Sequence, residues 1–296
     1  RDFCLSRGLG DVYKRQGGVA KTQTALNLAY YLSQHGKKVL LVDNDPQANT
    51  TKIVLKPKEK GGKDNALKLV EKYNKTGKEL LESCNVLHNY VMQTPFEKDI
   101  SDIYLDPKII KQTIQHTQYD NLDIVPSSNR LSVVDTQIKM SGRNPSGRLR
   151  QAFNQIQNDY DVAIIDNSPF ENALTYNAMC SCYKEGDTII IPIKIDESGL
   201  EGLDATLNTL FDWLETEQLD YDFKILVTMA NRNNVDKEWT NTLKELFKER
   251  VYDTTIRYQS KPVVDCSTKK EILIEKSKEN VANDYREFCK EVLNQF

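Results

Sequence analysis

Long apolar runs are the first thing this chain lacks. No stretch of its 296 residues approaches the roughly 20 apolar residues of a membrane span, and no secretory leader is visible, so the expectation is a soluble, cytoplasmic protein. Paired CxxC motifs are missing too. The six cysteines, at 4, 84, 180, 182, 266 and 289, follow no zinc or disulfide spacing and are read as reduced and structural. Cys180 and Cys182 fall in an expected helix, ALTYNAMCSCY, where residues two apart face different ways. The three histidines, His35, His88 and His116, have no partners in sequence and are assigned to the surface. A basic excess is absent as well: the net charge of −3 gives no bulk attraction for nucleic-acid phosphate, so any DNA affinity must come from a local patch.

What is present begins at residues 17 to 24, GGVAKTQT. Gly17 and Gly18 lack a Cβ, so their amides can approach phosphate oxygens; Lys21 adds a point charge and Thr22 a hydroxyl for Mg²⁺. Ala25, Leu26, Leu28, Ala29 and Leu32 then mark a helix from Thr22 to His35 that stops at Gly36, which puts the phosphate at a helix N-terminus. The ordinary pattern has glycine where Arg15 and Ala20 stand. Two apolar runs end in acids. KKVLLVD closes on Asp43 with Asp45 just beyond, and YDVAIIDNSP closes on Asp166. Carboxylates at the C-terminal ends of strands face the ligand crevice of an open α/β sheet.

QGGVAKTQT, LLVDNDPQANTT and YDVAIIDNSP resemble the deviant Walker A, Walker A′ and Walker B motifs of the ParA/MinD family of ATPases, with ParA, the chromosome and plasmid partition branch, the nearer likeness. The likeness continues through NLDIVPSSNRL, TIIIPIKIDESGLEGL and VYDTTIRYQSKPVVD. It implies a doubly wound, mostly parallel sheet flanked by helices, in a single P-loop ATPase domain over 17–296. It also implies ATP and Mg²⁺ as cofactors. Gly17, Gly18, Val19, Ala20, Lys21, Thr22 and Gln23 would form the phosphate cradle, with Lys21 on the β and γ phosphates. Thr22 and Asp166 would hold the ion, Asp43 would support its outer shell, and Asp45 would position the attacking water. A strand-closing aspartate such as Asp43 can equally cap the following turn.

Two segments depart from the family. The family's additional lysine, which reaches across a dimer to the partner's nucleotide, is replaced by Gln16, and glutamine carries no charge. Residues 1–16, RDFCLSRGLGDVYKRQ, offer no buried strand of four to eight apolar residues to lead into the loop. They are read as a foreign or disordered segment in place of the first strand; the alternative is DVYKRQ as a short strand. Residues 52–82 read as a lysine-rich insertion with a short helix at 66–73.

Further strands are expected near 37–43, 122–126, 161–166, 188–194 and 223–229. A helix at 200–216 should carry Leu203, Leu207, Leu210, Phe211 and Leu214 on one face. The last helix, 279–294, presents Val281, Tyr285, Phe288 and Val292, a stripe read as packing on the sheet rather than lying on a membrane. The resemblance implies an ATP-dependent homodimer that binds double-stranded DNA without sequence preference, is stimulated by a ParB-type adaptor and associates with the nucleoid. Arg232, Arg257, Lys261, Lys269 and Lys270 are the candidate DNA contacts. A MinD-like membrane-cycling ATPase and a hydrolysis-deficient DNA or partner scaffold remain as alternatives. An iron-protein-like reductase is disfavoured, because NSPFENALT has no cysteine for a cluster.

Overall fold

The computed structural model describes residues 4–5, 20–55, 96–140, 147–169, 172–184, 186–231 and 233–296. One compact unit takes in the chain up to Val54 and from Lys98 onward; Leu55–Glu97 forms a second, nearly all of it outside the described residues. All of the lysine-rich stretch beyond residue 55, with the helix expected at 66–73, therefore lies outside them, as does DVYKRQ.

Five strands form at the expected apolar runs, β2 Val39–Asn44, β4 Leu122–Val125, β5 Val162–Asn167, β6 Thr188–Lys194 and β7 Asp222–Thr228, and two short ones form where none is expected, β1 Cys4–Leu5 and β3 Gln115–His116. The helices before β5 are α1 (Lys21–Gln34), α2 (Asn49–Val54), α3 (Ile100–Leu105), α4 (Ile110–Thr113), α5 (Arg130–Met140) and α6 (Arg148–Phe153). After it come α7 (Ala173–Cys180), α8 (Glu197–Glu217), α9 (Asn234–Phe247), α10 (Ser260–Lys269), α11 (Leu273–Lys276) and α12 (Asn280–Leu293).

Five strands run in the order β1-β5-β2-β4-β3, all parallel except the edge strand β3, and β6 and β7 form a second parallel pair. Strand β2 is buried along its whole length, as a parallel strand covered on both faces must be. The β2–β5 register pairs Asp43 with Asp166 and Asn44 with Asn167, so both acids emerge at one sheet edge. Helix α1 packs on these two strands. It ends as expected: Gly36, at φ +81°, takes the left-handed position after the cap, and Lys37 N–H donates to Leu32 O at 3.1 Å.

Two expectations need correction. The first strand is not missing altogether: Cys4–Leu5 pairs in parallel with Ala163 and Ile164 and also lies beside β6, although it is only two residues long. On α8, Leu203 and Leu210 are buried but Phe211 is 52% exposed; a one-residue step turns about 100° around the helix, leaving Phe211 to lean edge-on against Phe223. Helix α12 buries Val281, Tyr285, Phe288 and Val292 and packs on α1 and α11. No helix among the described residues is long and apolar enough to cross a membrane.

Cys180 ends α7 and Cys182 lies two residues beyond it, both in the core. His35 is exposed and stacks on Tyr31, and the exposed His116 meets Asp123 at 2.7 Å.

Candidate functional site

Gly17, Gly18 and Val19 lie outside the described residues, as does Gln16, so the described part of the cradle starts at Ala20. Ala20 sits at φ 60°, ψ 28°, a left-handed conformation in which an L-residue is strained by roughly 1–2 kcal/mol. This is where the ordinary P-loop has glycine, and the geometry gives the reason. Its carbonyl accepts from Thr24 N–H at 2.8 Å and from Thr24 Oγ1 at 2.9 Å, which fixes the first turn of α1. Lys21 and Thr22 follow as the first two helical residues, both half-buried. The Lys21 charge favours the ionised forms of Asp45 and Asp166, so cation and carboxylates share one site. Gln23 is committed elsewhere: its Nε2 donates to Ser267 Oγ on α10 at 3.2 Å, and its carbonyl accepts from Asn27.

The acids are held by two adjacent threonines on α2. Asp43 Oδ2 accepts from Thr51 N–H at 2.8 Å and Thr51 Oγ1 at 2.6 Å, and Asp43 Oδ1 accepts from Asp45 N–H at 3.2 Å. Asp43 thus closes the turn as well as standing at the site. Asp166 Oδ2 accepts from Thr50 Oγ1 at 2.6 Å. The Thr22 hydroxyl faces the same carboxylate and favours its charge, while Asp166 Oδ1, fully buried, has no hydrogen-bond partner of normal geometry. Burial, with Asp166 alongside, pushes the Asp43 carboxyl up to about 8; burial pushes Asp166 up to about 6. Asp45 is raised by partial burial against the opposing effects of the Gln47 amide and of Lys21, and its Oδ1 accepts from Gln47 N–H at 2.8 Å.

Sequence reading missed the layer beneath. Asn44 Nδ2 donates to Asn167 Oδ1 at 2.8 Å, and Tyr104 O–H donates to Asn44 Oδ1 at 2.9 Å, linking β2, β5 and α3. Ser127 Oγ donates to Asp45 O at 2.8 Å, and Ser127 N–H to Thr51 Oγ1 at 2.9 Å. The only sequence signal was the pair of threonines in NDPQANTT.

A hard divalent ion fits these donors. Mg²⁺ keeps most of its waters and uses one or two protein oxygens plus phosphates, so it needs no closed protein cage. None of the described residues form a cage of three or more His, Cys, Asp or Glu, yet an orphaned buried carboxylate oxygen in a carboxyl group that also has a threonine hydroxyl beside it is the kind of donor such an ion takes.

The candidate DNA contacts differ in their surroundings. Arg232 lies outside the described residues. Arg257 is gripped by Asp284 through Nε at 2.6 Å and Nη2 at 2.7 Å. Lys261 and Lys269 line a cavity of about 430 Å³ that Asp265, Glu271 and Glu279 also line, and the exposed Lys270 ends α10 in a left-handed cap.

An AAA domain family profile, AAA_31, matches residues 11–225. The sporulation initiation inhibitor protein Soj of Bacillus subtilis is 28% identical over 285 residues, covering 95% of this chain and 96% of Soj. The chromosome partitioning protein ParA of Myxococcus xanthus is 26% identical over 260 residues, covering 86% of this chain and 75% of that protein. Cobyrinic acid a,c-diamide synthase from Mycobacterium smegmatis, solved with an ATP analogue and magnesium, shares the fold. The TM-score is 0.71 at 19% identity, over 99% of this chain and 94% of that one.

Proposed function

The chain belongs to this AAA domain family, in the ParA/MinD class of P-loop ATPases, and we propose that it is a partitioning ATPase that binds Mg-ATP, dimerises on it and holds DNA until hydrolysis. The observation that carries the reading is the meeting of the start of α1 with Asp43, Asp45 and Asp166 at one sheet edge. The solved relative with an ATP analogue and magnesium supports the choice of ligand.

Mg²⁺, when bound, would supply positive charge that offsets the charge of the phosphates. Lys21 holds the β and γ phosphates, with Gly17, Gly18, Val19 and Ala20 supplying backbone donors. Thr22 and Asp166 would hold the ion, and Asp43 fixes the turn that carries Asp45. Asp45, half-buried and near Lys21, orients the attacking water and takes its proton. Gln16 cannot provide a charge across a dimer, so turnover by the chain alone is slow. The loops after Asp43 and Asp166 respond to the γ-phosphate and couple hydrolysis to release of DNA, with a ParB-type adaptor as the stimulus. DNA contact through Lys261, Lys269, Lys270 and Arg232 is backbone-directed and salt-sensitive, which accords with a nucleoid location in the cytoplasm.

Steady-state ATP hydrolysis with double-stranded DNA and a ParB-type partner, for the chain and for Gln16→Lys, tests this. Slow hydrolysis that Gln16→Lys accelerates is expected. Inactivity of both proteins under all conditions would leave a DNA or partner scaffold as the better reading.

A further inference from the structure

We infer that Thr50 is a positioning residue for the ion-binding carboxylate: its hydroxyl occupies one oxygen of Asp166 so that the other is left for the cation. The inference rests on the nucleotide-binding reading above and names a residue that reading does not use. Thr50 is wholly buried and Asp166 is 1% exposed, so no bulk solvent competes for the 2.6 Å bond between Thr50 Oγ1 and Asp166 Oδ2. A hydroxyl has one proton to donate, and here it goes to the carboxylate. Asp166 Oδ1 is left buried without a normal hydrogen bond, a state that is costly unless another positively charged or donating group completes it.

The neighbouring residue explains why a threonine is needed here. Asp43 and Asp166 are cross-strand partners, and their mutual repulsion would turn the carboxylates apart along any soft torsion. Thr51 ties down Asp43 by backbone and hydroxyl while Thr50, one residue earlier on α2, ties down Asp166. Two consecutive threonines thus each hold one of two adjacent carboxyl groups. The β-branched side chain assists, because it restricts χ1 and leaves the hydroxyl little freedom. Partners that orient a metal's ligand act through that ligand, and their removal lowers metal affinity about 10- to 100-fold without touching the metal.

The test uses Mn²⁺ as a spectroscopic substitute for Mg²⁺, titrated by electron paramagnetic resonance into the full chain saturated with ADP, for wild type, Thr50→Val and Thr50→Ser. ADP affinity is measured separately in excess EDTA. Thr50→Val keeps the branched shape and loses the hydroxyl, so it should bind Mn²⁺ at least about 10-fold more weakly while its metal-free ADP affinity is unchanged. Thr50→Ser should stay within about 3-fold of wild type, because the donated hydrogen bond is retained. Mn²⁺ binding by Thr50→Val equal to wild type would overturn the inference. So would equal damage in both variants accompanied by loss of metal-free ADP binding, which would mark a purely structural role. Failure of the wild type itself to bind ADP or Mn²⁺ would instead overturn the nucleotide-binding reading on which the inference stands.

Discussion

Asp43 and Asp166 are register partners on two parallel strands, both buried, and each raises the question of how a folded chain tolerates the other's charge. Part of the answer is protonation. With Asp43 pushed up to about 8 and Asp166 to about 6, the ligand-free fold retains protons that the unfolded chain releases near pH 4. The folded state then binds more protons across that window, so stability falls as pH rises from about 4 toward 8. Asp43→Asn should remove the part of this slope that lies between pH 6 and 8. Urea midpoints of both proteins without nucleotide, measured at pH 5.5, 7 and 8.5, check it; parallel pH profiles for the two would contradict it.

Bound cation reverses that relationship, because a divalent charge favours both carboxylates in ionised form. Mg-ADP should therefore raise the midpoint more at pH 8 than at pH 6. Thermal melts with and without saturating Mg-ADP at the two pH values measure it, and a larger gain at pH 6 would count against the ion lying beside these acids.

Ala20→Gly should stabilise the chain by about 0.5–1 kcal/mol, the relief of a left-handed alanine less the extra entropy of an unfolded glycine. Chemical denaturation gives the difference directly. A loss of stability would mean that the turn before α1 is unstrained.

Lys21→Ala should weaken ATP binding about 10- to 100-fold, the worth of a hydrogen bond to a charged group. Its fold should be intact, because Lys21 is only half-buried at the first position of α1. A fluorescent ATP analogue reports the affinity, and unchanged binding would remove Lys21 from the phosphate site.

Phe288→Ala should cost about 3–5 kcal/mol, as truncation of a buried aromatic that packs edge-on to Tyr252 at 5.0 Å. Because the apolar stripe of α12 is spent on α1, anionic phospholipid vesicles should not pellet the wild-type chain with ATP. Co-sedimentation with ATP would revive the membrane-cycling alternative.

The sequence revealed most where a single local signal suffices. Strand β6 was legible from its unbroken apolar run, the end of α1 from Gly36, and the acids from their place at strand ends. Edge strand β3 was not, because two residues, Gln115 and His116, carry no alternation. Phe211 was misassigned because a helical window tolerates one extra apolar neighbour without saying which side faces the core. Thr50 and the Asn44–Asn167 pair were invisible for another reason. Their partners are 116 and 123 residues away, and only the β2–β5 register brings them together.

Calorimetric titration of ATP into wild type and Asp166→Asn, each with Mg²⁺ and with EDTA, addresses the joint grip of Lys21, Thr22 and Asp166 most directly. The wild type should show one saturable site that Mg²⁺ tightens, and the Asp166→Asn protein should still bind ATP in EDTA but gain nothing from Mg²⁺. No heat from the wild type, or the same magnesium enhancement in both proteins, would contradict it.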